Sequence, residues 1–354
     1  MKARFDALQR ALLIVAAVAV GGLPLCGAEG EVTCATCHRK QAAEQPRTAM
    51  ANAMQTVAAS PILKGHQKLT FRQGPYSYEI ERKGDQSWYR VTDGKQQIEA
   101  PIGWSMGQGF AGQTYLLERN GVWHESRVSY YKRLDGLDLT TGARPEVPAN
   151  IDDAFGRRLS DRGALECFNC HSTHAVNGGV LRTDQLTTGV QCARCHEKTT
   201  EHVASLQNSE AKTIPPKLGT LSSEETSDFC GQCHRTWAQI ATTGPHNINN
   251  VRFQPYRLTN SRCYDATDDR MRCTSCHDPH QELVREPAFY DKRCLSCHAT
   301  ATQAAKKEGA KACKAGKTEN CAGCHMPRVE IPQTHHAFTD HWIRLAKKGD
   351  PYPN

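Results

Sequence analysis

Fourteen of the seventeen cysteines in this chain fall into seven copies of one short pattern, Cys-x-x-Cys-His. The copies are Cys34-Cys37-His38, Cys167-Cys170-His171, Cys192-Cys195-His196, Cys230-Cys233-His234, Cys273-Cys276-His277, Cys294-Cys297-His298 and Cys321-Cys324-His325. Two thiols three residues apart can add across the two vinyl groups of one porphyrin. The imidazole that follows is then held under the iron as its axial ligand. Zinc sites normally use such cysteine pairs two at a time, so seven pairs would leave one over. Neither zinc, disulfide nor dithiol chemistry requires a histidine after every second cysteine. Seven matches out of seven imply seven covalently attached haem c groups.

Each iron needs a ligand on its other face, and that ligand tunes potential and reactivity. The chain has sixteen histidines. Beyond the seven proximal ones stand His66, His124, His174, His202, His246, His280, His335, His336 and His341. The supply permits two histidines for every iron. His174 and His280 each lie three residues past a proximal histidine, too near to cross their own haem. Each is expected to ligate a neighbouring one. His202, His246 and one or two of the tail histidines, taken as His336 and His341, complete the expected set. His124 lies beside Trp123 in a predicted strand and reads as a packed or surface side chain; His66 is also a weak candidate. Thr48 to Met54 has a helical pattern after the first motif. Either Met50 or Met54 is a thioether candidate for the first iron, Met54 being taken, although both also read as core methionines. Cys263 and Cys313 lie outside the motifs. A disulfide is their simplest pairing, and two free thiols are the alternative.

The elements that must position these groups are unevenly distributed. After the first motif about 130 residues pass without another. The last six proximal histidines are 25, 38, 43, 21 and 27 residues apart. So few residues per haem cannot build separate domains, so the haems must share walls. The haem-free stretch alternates apolar and polar residues, as in Tyr76, Tyr78 and Ile80 against Ser77, Glu79 and Glu81. Strands are expected at Gln67 to Gln73, Tyr76 to Arg82, Gln86 to Thr92, Lys95 to Ala100, Gln113 to Arg119 and Val122 to Tyr131. Asn120-Gly121 marks a hairpin turn. This β-meander of five or six strands reads as a structural cover, a docking face or one wall of a substrate site. From Asp152 onward short helices and loops are expected, with a capped start at Ser222 to Thr226 and a helical stretch at Ala301 to Lys311.

The first residues read as an export leader: a basic start, an apolar stretch from Ala11 to Leu25, and small residues before a cleavage point after Ala28. Lipid attachment at Cys26 or an uncleaved anchor are the alternatives, either giving membrane association through the N-terminus. The formal charge of +7 would naively suggest nucleic acid. Loss of the leader, addition of two propionates per haem and one charge returned by each ferric iron bring it to about −2, and full reduction to about −9. The basic residues are therefore read as propionate partners, with no nucleic acid.

The haem-dense half resembles bacterial multihaem cytochromes c of the cytochrome c-554 and doubled Cys-x-x-Cys-His type. Cys167-Phe-Asn-Cys-His-Ser-Thr-His174, Gly189 to His196 with Glu201-His202, and Cys273 to His280 carry the resemblance. So do Cys321-Ala-Gly-Cys-His-Met-Pro327 with His336 to His341, and the first segment, Cys34 to Met54. It implies exported electron transfer, with most irons ligated by two histidines. The expected fold is a mostly α and irregular multihaem cytochrome c array, with an antiparallel β-meander insertion between the first and second motifs. Expected segments are 1–28 (leader), 29–60 (first haem), 61–150 (β-rich) and 151–354 (six haems and a histidine-rich tail). The leading reading is a periplasmic or extracellular electron carrier working between redox protein donors and acceptors. The competing readings are an oxidoreductase acting on a small nitrogen or sulfur compound at one open iron, and a subunit of a homo-oligomeric filament or conduit.

Overall fold

The structure is a computed structural model that describes residues 32–208, 212–298, 313, 316–347, 349–350 and 352–353. The leader and the helical stretch expected at Ala301 to Lys311 lie outside the described residues. Alternation of apolar and polar side chains builds the sheet. Strands β1 (Met54–Thr56), β2 (Lys68–Gln73), β3 (Tyr76–Lys83), β4 (Gln86–Thr92), β5 (Gln97–Met106), β6 (Thr114–Arg119) and β7 (Val122–Ser126) are antiparallel to their neighbours. A hairpin of β8 (Val128–Tyr131) and β9 (Gly136–Leu139) follows, and β10 (Gly156–Arg158) returns to pair with β7. The main path runs β10-β7-β6-β5-β4-β3-β2, with β1 paired to β5.

This corrects the expected fold class. Of the described residues 34% are helix and 24% strand, and the dominant feature is a curled antiparallel sheet with seven strands on its main path, a half-barrel, not a mostly α array. The sheet is no mere insertion. It recruits β1 from the first haem segment and β10 from beyond residue 150. The physical reason is that it buries a core of its own. Tyr76, Tyr78, Ile80, Tyr89, Val91, Ile102, Tyr115, Leu117 and Phe155 form one continuous apolar cluster.

Strand positions follow the alternation closely, and the differences have local causes. Strand β5 runs on past the expected end at Ala100 to Met106 through an irregularity between Ile102 and Trp104, where Gly103 sits. The stretch from Val122 to Tyr131 divides at Arg127 into β7 and β8. Asn120 and Gly121 both take positive φ, 53° and 73°, as a tight hairpin turn requires. Met54 is in a strand, not the helix expected there. Its Cα partner Met106 lies in β5, and that pairing overrides the local helical pattern.

Both faces of β6 are buried. Tyr115 and Leu117 join the half-barrel core, while Leu116 faces a second cluster with Met54, Met106, Leu159 and Phe168. Phe168 lies within the second motif, on the helix Asp161–His171. Its ring packs edge-on against Trp104 and Trp123 at 6.2 and 5.2 Å. The outer face of the half-barrel is thus the seat of the second motif. The C-terminal part is not helix and loop alone, because Arg328–Ile331 and His336–Thr339 form a hairpin. Arg133 bonds Glu330 at 3.0 Å and His335 bonds Asp138 at 2.7 Å, docking this hairpin on β8 and β9.

Candidate haem sites

Each motif is one short helical turn or the end of a helix. The first, third, fifth and seventh occupy Cys34–Cys37, Cys192–Cys195, Cys273–Cys276 and Cys321–His325. The second, fourth and sixth close the helices Asp161–His171, Ser223–His234 and Pro287–His298. Helical spacing puts the two sulfurs of a pair on one face. All the motif thiols are free of disulfides. The expected cap at Ser222 is present as a reciprocal box with Glu225.

Backbone seams bring motifs distant in sequence together. Val190 N–H donates to Met50 O at 2.9 Å, and Gln45 Nε2 to Val190 O at 2.6 Å. Thr173 Oγ1 donates to Gly189 O at 2.9 Å. These bonds join the first, second and third motifs. Arg272 donates to Gly219 O and Leu221 O, tying the fifth to the helix that carries the fourth. Asp291, almost wholly buried, accepts from Asn320 N–H and Cys321 N–H at 2.7 and 2.8 Å. The sixth motif's helix thereby caps the turn of the seventh.

The result is a run of neighbouring motifs. Cys34 lies against Cys192, and Cys195 within electrostatic reach of Cys233. Cys170 lies against Cys233, Cys230 against Cys273, and Cys294 against Cys321. Cys276 is within reach of Cys294. The fourth motif therefore adjoins the second, third and fifth.

The imidazoles test whether haem iron fits. Two imidazoles on opposite sides of one iron need ring centres about 6 Å apart, from metal–nitrogen bonds of about 2 Å and about 1 Å from each nitrogen to its ring centre. His196 and His280 have ring centres 6.2 Å apart and planes within 10°. His277 and His341 have centres 6.1 Å apart, tilted by 41°. In each pair one ring belongs to a motif and the other is an expected distal ligand. Among the described residues no group of three or more His, Cys, Asp or Glu is placed to hold a bare metal ion. Paired thiols with facing imidazoles suit iron that brings its own macrocycle.

Hydrogen bonds select tautomers. A carbonyl only accepts, so a ring bonded to one through Nδ1 donates there and keeps the Nε2 lone pair for a metal. His171 bonds Ala53 O at 3.0 Å, His325 bonds Arg344 O at 3.0 Å, His202 bonds Thr213 O at 2.6 Å and His341 bonds Thr339 O at 3.0 Å. His280 is held through Nδ1 by Asp278 at 3.1 Å. Burial, reinforced by the neighbouring His277, pushes His341 down to about 4 and keeps it neutral. Burial also lowers His171, His196, His277 and His336.

Other candidates are placed differently. His335 spends Nε2 on Asp138, and His66 bonds Ile62 O and Asp135 through its two nitrogens. His124 is in β7 with its ring edge-on to Phe155. Met54 is fully buried, with Met106, Leu116 and Phe168 in its cluster. His174 is exposed beside a cleft of about 360 Å³ lined also by Val176, Asn177 and Gln185. His246 is exposed, and so are His298 and the first motif's Cys34, Cys37 and His38. His336 lines a cleft of about 530 Å³ with Phe110, Lys132 and Arg328. The expected Cys263–Cys313 disulfide is not formed. Both thiols are free and exposed, and Cys263 is instead within reach of Cys294 and Cys297. Pairing by elimination ignored where the fold puts each cysteine. Sequence reasoning also missed Phe168, Asp291 and Arg257: the first two are a large and a charged residue in or near a motif, and Arg257, between the fourth and fifth motifs, carried no local signal.

A family model described as cytochrome c554 and c-prime matches residues 124–197. That span runs from β7 through the second and third motifs. Over it the chain is similar to c-type cytochromes, which supports covalently bound haem c and a role in electron transfer. No curated protein and no solved structure matches the chain.

Proposed function

We propose that this chain is an exported c-type cytochrome that carries seven haems and relays electrons between redox proteins. The observation that carries this reading is the contiguity of the motifs. They follow the order first, third, fourth, fifth, sixth, seventh, with the second joining at the fourth. Covalent haem c supplies a one-electron couple when bound. The chain's own residues hold the thiols and imidazoles and set their spacing. His196 with His280 and His277 with His341 would hold the irons of the third and fifth sites. His171 and His325 serve the second and seventh with their tautomers preset. His174, His202, His246 and His336 are the remaining distal candidates.

Export rests on the basic and apolar start of the chain. Among the described residues no helix is long and apolar enough to cross a membrane. The partners are redox proteins at the ends of the motif run, which the exposed first motif leaves accessible.

The test combines intact-mass spectrometry with electron paramagnetic resonance during a reductive titration of the exported protein. Seven added haem masses and a predominance of low-spin irons are expected. Bare peptide mass would end this reading. A high-spin fraction that binds cyanide or nitrite would move it to an oxidoreductase with one open iron.

A further inference from the structure

A buried ion pair grips the C-terminal tail beside one axial histidine. Arg257, on the helix Gln254–Thr259, is 0% exposed. Its Nε and Nη2 donate to the two carboxylate oxygens of Asp340, each at 2.8 Å. Its Nη1 donates to Asn250 Oδ1 at 3.2 Å and to Pro353 O at 3.0 Å. The guanidinium carbon lies 4.9 Å from the Trp342 ring centre and 4.6 Å from that of Tyr352. Asp340 is also 0% exposed and accepts from Arg344 Nη1 at 2.6 Å and Trp342 N–H at 3.0 Å.

Such a pair is an expensive way to hold a tail. Charges removed from water recover their desolvation cost only with excellent geometry, and apolar residues of the same volume often do as well or better. What a two-pronged ion pair adds is direction, because the guanidinium fork fixes the carboxylate in plane. Here it fixes the residue immediately before His341. The other side is tied to the same region. Ser261 Oγ donates to His341 O at 3.2 Å and accepts from Ile343 N–H at 2.8 Å. The backbone is therefore clamped on both sides of His341, whose ring stands 6.1 Å from that of His277.

We propose that Arg257 and Asp340 are a positioning pair that sets His341 opposite His277, making the C-terminal tail a clamped arm that completes the fifth iron site. This rests on the axial reading of those two imidazoles. Neither Arg257 nor Asp340 is a ligand. They act by fixing where one imidazole stands and how its plane is tilted, and that tilt shapes the g-anisotropy of a ferric low-spin iron.

The test uses the full haem-loaded protein and four variants: His341→Ala, Arg257→Met, Asp340→Asn, and Arg257→Met combined with His341→Ala. Haem content by mass, thermal unfolding and the ferric resonance spectrum are read on each. His341→Ala should convert one low-spin iron to a high-spin, cyanide-binding one with all haems still attached. Arg257→Met and Asp340→Asn should shift or abolish that same signal and leave the other signals alone. The double variant should look like His341→Ala alone. If His341→Ala removes one signal but both clamp variants leave it unchanged, the positioning role is wrong while the ligand assignment stands. If His341→Ala itself changes nothing, the axial reading fails first. Loss of fold and haem together in both clamp variants would make the pair a stability element and overturn the proposal.

Discussion

At the residue scale the informative contrast is between imidazoles with a free Nε2 and those without one. His280 keeps its Nε2 lone pair because Asp278 engages Nδ1, and its ring centre stands 6.2 Å from that of His196 with the planes within 10°. Replacing His280 with alanine should therefore delete one low-spin signal while all haems remain attached. Mass and resonance spectra of one sample decide it, and an unchanged spectrum removes His280 from the ligands. A second prediction concerns the outer face of the sheet. Arg90 Nε donates to Glu99 at 2.9 Å, and Arg90 Nη1 donates to Glu79 at 2.9 Å across the adjacent strand. The hydrogen bond from Arg90 holds the Glu99 carboxyl below its usual range. A depressed carboxylate adds stability that is complete above its unfolded-state pKa and lost as pH falls through its folded-state value. Glu99→Gln should thus destabilise by under about 1 kcal/mol at pH 7, given partial exposure. The difference should close as pH falls through and below the ordinary glutamate range. Urea unfolding of both proteins at each pH measures it; a gap that stays constant with pH would show that this pair carries no charge-linked stability.

At the element scale the sheet and the second motif form one unit. Phe168 is 0% exposed between two tryptophans on the outer face. Phe168→Ala should cost about 3–5 kcal/mol, the usual penalty for emptying a buried aromatic site. It should also disturb the second haem before any other, which protein unfolding followed in parallel with the haem spectra will detect. The seam around Gly189 makes a second unit. Gly189 has φ +72°, and a Cβ there would overlap the carbonyl of Ala51. Gly189→Ala should then cost about 1–3 kcal/mol from backbone strain alone, with the overlap adding to it. The first three motifs should loosen together, and incomplete haem attachment at those three sites is the expected readout by peptide mass mapping.

At the scale of the whole molecule two kinds of stability coexist. The half-barrel has a large apolar cluster of its own. The six later motifs sit on short helices with few buried apolar residues; on Pro287–His298 the one buried residue is the charged Asp291. Haem binding to the folded state adds stability to the segments that hold it. Protein made without haem attachment should therefore keep a protected sheet and lose order in the motif segments. Hydrogen exchange should find slow amides in β3 to β6 and fast ones from the Ser223–His234 helix onward. Uniform loss of protection would show instead that the sheet depends on the haems.

The thiol pairs, their imidazoles and the strands were legible without coordinates because those signals are local. Two thiols and an imidazole at fixed short spacing read as a haem-attachment motif wherever the chain goes, and alternation at Tyr76, Tyr78 and Ile80 defines a strand with one buried face. The neighbours of each motif were not legible, because they depend on long-range contacts. His280 meets His196, His341 meets His277, and Cys170 meets Cys233 across large sequence separations. Nor was the weight of the sheet legible. Motif counting made it an insertion, whereas β1 and β10 arrive from outside the strand-rich stretch and close one apolar core. Sequence alone determined where the paired thiols and their following imidazoles stand along the chain. Only tertiary structure decided which sites adjoin, since adjacency comes from buried area and backbone bonds that no single segment contains.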